Sequence, residues 1–301
     1  MTLILTTWLL LATPQATALE YVEGNGYVDV SESGVPILRY SHDATPVPAG
    51  TAPELARGDY VSALYGLDGE LLTDDYPKDH PHHRGVNWSW ATIQWKGEER
   101  DLFAVRGILA RPVGKPRVSV TDGAVLIEAD SQWKWDDTTP VVSESVSIRI
   151  QPQSAQGRGI DFDIRLKSLV DGLTFCGRLE AGYSGFTVRM APAKGQDIVF
   201  HTAAPDTKPS RAWADYTAEF NGGKGRSGLA ILQCAENPLH PQEWRKYPEL
   251  NFFQPIYPGG KLLPISTTDP IHLRYRLWIH RGGTDEGLLT NQWDVYNSPA
   301  Q

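Results

Sequence analysis

Apolar and polar residues alternate with a period of two along much of the chain. Residues 160–167 show this most cleanly. Ile160, Phe162, Ile164 and Leu166 interleave with Asp161, Asp163, Arg165 and Lys167, the pattern of a strand with one face in the core and one in water. Further strands are expected over residues 88–95, 117–120, 124–129, 141–150, 173–179, 186–190, 229–233 and 272–280. Clusters of Gly, Pro, Asn and Asp separate them and mark turns. The helical period stands out at 284–296. Thr284 occupies an N-cap position, Asp285 and Glu286 fall in the electropositive first turn, and Leu289, Trp293 and Tyr296 recur on one face. No internal repeat and no Pro/Ser linker interrupts the chain. The pattern predicts an all-β protein: one large antiparallel β-sandwich domain over residues 19–301, with a short C-terminal helix.

Two strands depart from the simple alternation. Over 141–150, Glu144 shares a face with Val142, Val146, Ile148 and Ile150. A carboxyl group on that face is either paired with its pKa raised, or lies beyond the core edge where the sheet opens to water. Over 272–280, Leu273, Tyr275, Leu277 and Ile279 form the core face, and the opposite face carries His272, Arg274, Arg276, Trp278 and His280. That row is either an ordinary exposed face or the floor of a polar cleft, since each of these side chains can hydrogen-bond to or stack on a ligand.

Composition narrows the function. Lys and Arg total 28 against 36 Asp and Glu, for a net charge of -8. Such a chain lacks the positive field that a phosphate backbone requires, which argues against nucleic acid as a partner. A hydrophobic content of 41% excludes a disordered chain, and no apolar run of about 20 residues is present to span a membrane as a helix. Residues 1–18 read as a secretory signal. Leu3 to Ala12 is apolar and Ala16-Thr17-Ala18 supplies a small-x-small cleavage site, although no Lys or Arg precedes the apolar stretch. The mature chain is then expected to start near Leu19, in the periplasm or outside the cell. Export permits a disulfide between Cys176 and Cys234, while two unpaired, half-buried thiols account for them equally well.

The densest chemistry lies in Asp79-His80-Pro81-His82-His83-Arg84-Gly85, where three of the eight histidines fall within four residues. Pro77 and Pro81 favour extended backbone, which puts His80 and His82 on one side and His83 on the other. Imidazoles suit proton transfer near neutrality, an Asp such as Asp79 can orient them, and Arg84 can bind a carboxylate or an oxyanion. A divalent metal held by His80, His82 and a distant ligand such as His280 is the alternative. No cofactor is otherwise implied. A third reading has the histidines only holding their loop in place.

Residues 236–260 form a second loop-rich stretch, with Asn237, His240, Trp244, Asn251, Phe252 and Phe253. Tyr183, Arg189, Trp213 and Asp215 precede it. Aromatic platforms beside Asp, Asn and Arg suit carbohydrates, although each residue alone is also explained by packing.

Asp79-His80-Pro81-His82-His83-Arg84-Gly85, Tyr183-Ser184-Gly185-Phe186-Thr187-Val188-Arg189-Met190, Trp213-Ala214-Asp215-Tyr216 and Leu273-Arg274-Tyr275-Arg276-Leu277-Trp278-Ile279-His280 follow one another in order. With Glu236-Asn237-Pro238, Trp244 and Asn251-Phe252-Phe253, this series resembles a family of secreted bacterial proteins of unknown function that carries the label "methane oxygenase PmoA". A true methane monooxygenase subunit of that name is a polytopic membrane protein, which this chain does not match. The resemblance implies instead a supersandwich like that of galactose mutarotase, in proteins often encoded near carbohydrate-degrading enzymes. It implies no established catalytic residues.

The expected function is therefore that of an exported carbohydrate-active protein, a hydrolase, lyase or epimerase working by histidine and carboxylate acid–base chemistry. His80, His82, His280, Asp79 and Glu144 are the candidate catalytic groups. His83, Arg84, Tyr183, Arg189, Trp213, Asp215, Asn237, Trp244, Asn251, Arg276 and Trp278 are the candidate binding groups. A non-catalytic sugar-binding module and a histidine-ligated metal enzyme are the rivals.

Overall fold

Alternating segments of this kind bury one face only by pairing edge to edge and packing sheet on sheet, and the computed structural model does this throughout. It describes residues 18–44, 46–202 and 209–298. The expected signal segment falls almost wholly on residues 1–17, outside the described residues. In chain order the first strands are β1 (Leu19–Glu23), β2 (Tyr27–Glu32), β3 (Val35–Ser41), β4 (Tyr60–Leu64), β5 (Val86–Ser89), β6 (Thr92–Trp95) and β7 (Glu98–Arg100). There follow β8 (Ile108–Pro112), β9 (Arg117–Thr121), β10 (Ala124–Trp135), β11 (Thr139–Ile150), β12 (Arg158–Ser168), β13 (Thr174–Cys176) and β14 (Gly185–Arg189). The last are β15 (Lys194–Thr202), β16 (Pro209–Glu219), β17 (Arg226–Gln233), β18 (Trp244–Tyr247), β19 (Phe252–Pro255), β20 (Leu263–Pro264) and β21 (Ile271–Arg281), before helix α1 (Glu286–Asn297).

One sheet runs β1-β2-β3-β4-β5-β14-β19-β18, and a second runs β15-β16-β17-β21-β12-β11-β10-β8 with β9 also on β10. A smaller sheet, β20-β13-β6-β7, stands beside them. The two large sheets face each other across an aromatic core. Phe186 of β14 stacks on Tyr275 of β21 at 4.4 Å between ring centroids, and Phe162 of β12 lies 5.8 Å from Trp88 of β5. This is the all-β antiparallel sandwich with a short C-terminal helix that the alternation predicts.

The departures have local causes. Residues 88–95 form two strands, because the Trp90 carbonyl accepts the amides of Leu102 and Phe103 and Ala91 donates its own to Ser184 Oγ. Those bonds lead the chain out of the ladder. The strand expected over 173–179 ends at Cys176, where the Gly177 amide turns to the Gly259 carbonyl. The helix is capped by Asp285, not Thr284: the Asp285 side chain accepts the Leu288 amide at 2.9 Å. Cys176 and Cys234 are both buried and free.

Glu144 does not reach a wet edge. It is buried between the sheets, where the indole N–H groups of Trp88 and Trp133 donate to its two oxygens at 2.5 and 2.6 Å. Burial, reinforced by the neighbouring Asp59, raises its pKa well above the usual carboxyl range. The polar row of β21 is not a cleft floor either. His272 and Arg276 pair with Asp163 and Asp161 of the adjacent β12, and His280 pairs with Asp215 of β16 at 3.0 Å. Arg274 pairs with Glu236. Trp278 is buried in a cluster with Trp213 and with Leu289 of α1. Cross-strand ion pairs and a covering helix consume that face.

Candidate functional site

The His-rich segment does not run extended. The His80 amide bonds the Pro77 carbonyl and the His83 amide bonds the His80 carbonyl at 2.8 Å, so the chain turns twice. Arg84 holds those turns. Its buried guanidinium donates to the carbonyls of Pro81, His83 and Leu55 and lies 3.4 Å from the Tyr76 ring centroid. All three imidazoles therefore gather on one side. His83 stacks on His80 at 4.8 Å, His82 meets His83 edge-on at 4.8 Å, and His80 and His82 lie 5.8 Å apart.

Behind them, Arg189 donates to both oxygens of Asp79 at 2.8 and 2.9 Å and to His83 Nδ1 at 3.3 Å. Asp79 Oδ2 stands 3.2 Å from His80 Nδ1. Desolvation pushes the Asp79 carboxyl up, but the hydrogen bonds from Arg189 and His80 and the Arg189 charge outweigh it and hold it at about 2. His83 is pushed down to about 2 by burial, with His82 and Arg189 adding to the effect. His82 is pushed down to about 4 by burial, then by His80, Arg106, Arg84 and Arg178. Both are therefore neutral imidazoles at physiological pH.

These rings form one wall of a cavity of about 360 Å³. Phe103, Ala104 and Arg106 contribute a second wall, and Arg178 and Tyr183 a third. Tyr247 and Phe252, at the facing ends of β18 and β19, and Leu250 from the turn between them complete the lining. His83 stacks on Phe252 at 4.8 Å. Each of the four contributing segments contains a non-glycine residue with positive φ: Tyr76 (57°), Val105 (57°), Ser184 (92°) and Asn251 (49°). For a β-branched residue such as Val105 this conformation is costly.

Of the residues nominated from sequence, His80, His82, His83 and Tyr183 line the cavity, and Asp79 and Arg189 stand directly behind it. Asn251 supports the wall from below, accepting the Tyr216 hydroxyl at 2.8 Å. Arg84 serves its own loop. Glu144, His280, Asp215, Arg276, Trp213 and Trp278 do not line the cavity and are occupied as described above. Trp244 stacks on Phe200 at 6.1 Å, and Asn237 bonds both backbone polar groups of Arg274. With His280 bonded to Asp215 in the other large sheet, the His80–His82–His280 metal set does not assemble. Among the described residues no three His, Cys, Asp or Glu side chains stand where they could hold a metal ion.

Sequence reasoning missed Phe103, Arg106, Arg178, Tyr247 and Leu250. The aromatic density of 236–260 pointed towards Phe252, but nothing local distinguishes Arg106 or Arg178 from any surface arginine.

The fold and cavity define a two-sheet antiparallel sandwich that presents an imidazole- and guanidinium-lined pocket. The chain belongs to a family of unknown function, DUF6807, whose model matches residues 27–294. No curated protein matches it. Among solved structures it is similar to galactose 1-epimerase from Lactobacillus acidophilus NCFM, at a TM-score of 0.40 and 9% identity, with 89% of this chain and 100% of that chain covered. No described helix is long and apolar enough to cross a membrane.

Proposed function

We propose that the cavity binds a sugar or sugar derivative and that the protein acts on it by imidazole acid–base chemistry. The observation that carries this reading is the convergence of three imidazoles, one of them backed by Asp79, on a cavity of about 360 Å³ with aromatic walls. That volume falls in the range of small-molecule sites, about 300–1,000 Å³. Tyr183, Tyr247 and Phe252 supply faces for the C–H surface of a pyranose. Asp79, 3.2 Å from His80 Nδ1, favours the tautomer with its proton on that nitrogen, which turns Nε2 to the substrate as a base. His82, held neutral, is the second proton site. His83, accepting from Arg189 and stacked on Phe252, positions the other two.

Screening the purified protein against mono- and oligosaccharides tests this, with His80→Ala and His82→Ala as the variants. Loss of about 10²–10⁴-fold in turnover with binding retained is the expected result. Binding without turnover in the unaltered protein leaves a sugar-binding module. Absence of any sugar binding removes the reading.

We further propose export, on the apolar stretch and small-residue site within residues 1–18. A mature N-terminus near Leu19 in the periplasmic or extracellular fraction is expected on N-terminal sequencing, and an intact Met1 there overturns it.

A further inference from the structure

The cavity has a sign. Two guanidinium groups, Arg106 and Arg178, reach it and no acidic side chain lines it, in a chain whose net charge is -8. Arg178 commits Nε to the Tyr183 hydroxyl at 3.2 Å and Nη2 to Asp101 at 2.7 Å, leaving Nη1 without a hydrogen bond among the described residues. Arg106 is exposed, and its side chain makes no ion pair among the described residues.

Arg178 is held by its side chain and Arg106 by its backbone. Asp101, nearly buried, pins Arg178 and also accepts the Ala104 amide at 2.8 Å. The backbones of Asp101 and Arg106 close the same turn with bonds of 3.0 and 2.7 Å. Between them Val105 is forced into the left-handed region. One acid thus fixes both the paired guanidinium and the turn that delivers the free one.

We propose that the substrate is a sugar acid, a pyranoside whose ring carboxylate is held by Arg106 and Arg178 while its C–H face lies on the aromatic wall. This rests on the sugar reading above and names the class within it. Guanidinium contacts neutralise the carboxylate and so acidify the carbon next to it. An imidazole, His80 or His82, takes that proton, and the C–H electron pair passes into the carboxylate as an enediolate held by the arginines. Return of the proton to the same carbon gives exchange or epimerisation. Alternatively the electron pair forms a carbon–carbon double bond, the C–O bond on the next carbon breaks, and the imidazolium formed by taking the C–H proton gives that proton to the departing oxygen. Neither course needs a further reactant.

The test compares methyl glucuronide and methyl galacturonide with the matching neutral methyl glycosides, a sulfated methyl glycoside and inorganic sulfate, by calorimetric titration of the full protein and of Arg106→Gln. The uronides are expected to bind at least about tenfold more tightly than the neutral glycosides, and Arg106→Gln to remove most of that preference, about 1.4 kcal/mol per tenfold. Loss of the C5 proton signal of the uronide in D2O, absent with His80→Ala and His82→Ala combined, reports the proton transfer directly. Equal binding of neutral and acidic sugars, or an unchanged preference in Arg106→Gln, overturns the proposal and leaves the sugar reading standing. Preference for the sulfated glycoside, or inorganic sulfate binding as tightly as the uronides, also overturns it. If no sugar of any charge binds, the sugar reading fails first. Uronide binding without C5 exchange overturns the proton-transfer step alone.

Discussion

Replacing Glu144 with alanine is expected to cost about 3–5 kcal/mol, from two orphaned buried donors and a cavity, and to lower the melting temperature by many degrees. The removed carboxyl leaves the indole N–H groups of Trp88 and Trp133 without acceptors deep between the sheets. Each orphaned donor costs about 1–3 kcal/mol, and the lost volume adds a cavity. Asp59, which accepts the Tyr40 and Ser131 hydroxyls at 2.8 Å each, loses its neighbour as well.

The same group sets a pH dependence. Burial, then Asp59, raises its folded pKa above the unfolded value near 4.5, so the folded state holds a proton that the unfolded chain releases. Its contribution is complete below the unfolded pKa and declines as pH rises through the folded one. Glu144→Gln keeps the shape and can still donate to Asp59, but it presents an amide N–H₂ to one indole donor. Its deficit relative to the unaltered protein is therefore expected to be largest in mild acid and to shrink towards alkaline pH. Chemical unfolding of both proteins across pH measures this, and parallel curves at all pH values sink the assignment.

Replacing Arg84 with lysine is expected to be nearly as damaging, and to act on the site. The Arg84 guanidinium, fully buried, reaches three carbonyls in different directions, those of Leu55, Pro81 and His83, and covers the Tyr76 ring. An ammonium group cannot present that fan of donors. At least two buried carbonyls lose their partner, at about 1–3 kcal/mol each. Because two of the three flank His82 and His83, the imidazole wall loosens before the sandwich melts. The expected result is a protein that still unfolds cooperatively, at a lower temperature, with the histidine ring resonances of the cavity narrowed and shifted in NMR spectra. Unchanged histidine resonances together with an unchanged melting temperature refute the role.

These two residues also show where local reading of the chain succeeds and fails. That Glu144 shares a face with four aliphatic residues is written in the alternation of β11, and so is the choice between a paired and a wet carboxyl. Which of these holds depends on Trp133, across the β10–β11 hairpin, and on Trp88, from a strand of the facing sheet. Arg84 carries the same information locally as any arginine beside histidines. Its partners at Leu55 and Tyr76 exist only once the loop has closed. The row on β21 misled for the same reason: its alternation is right, but Asp161 and Asp163 across the ladder and α1 above turn an apparent cleft into a covered, charge-paired face.

The period of two, the turn residues and the single helical stretch thus settle the fold class from short-range information, because side-chain direction repeats every two residues in a strand whatever it pairs with. The clustering of His80, His82 and His83 marks the candidate site for the same reason: neighbours in sequence stay neighbours in space. The other walls of the cavity were decided by tertiary structure alone. Arg106, Arg178, Tyr247 and Phe252 come from segments separated by tens of residues, and strand register and loop closure bring them together. The directions of the pKa shifts follow from burial and from charges brought near by that closure, which no local pattern encodes.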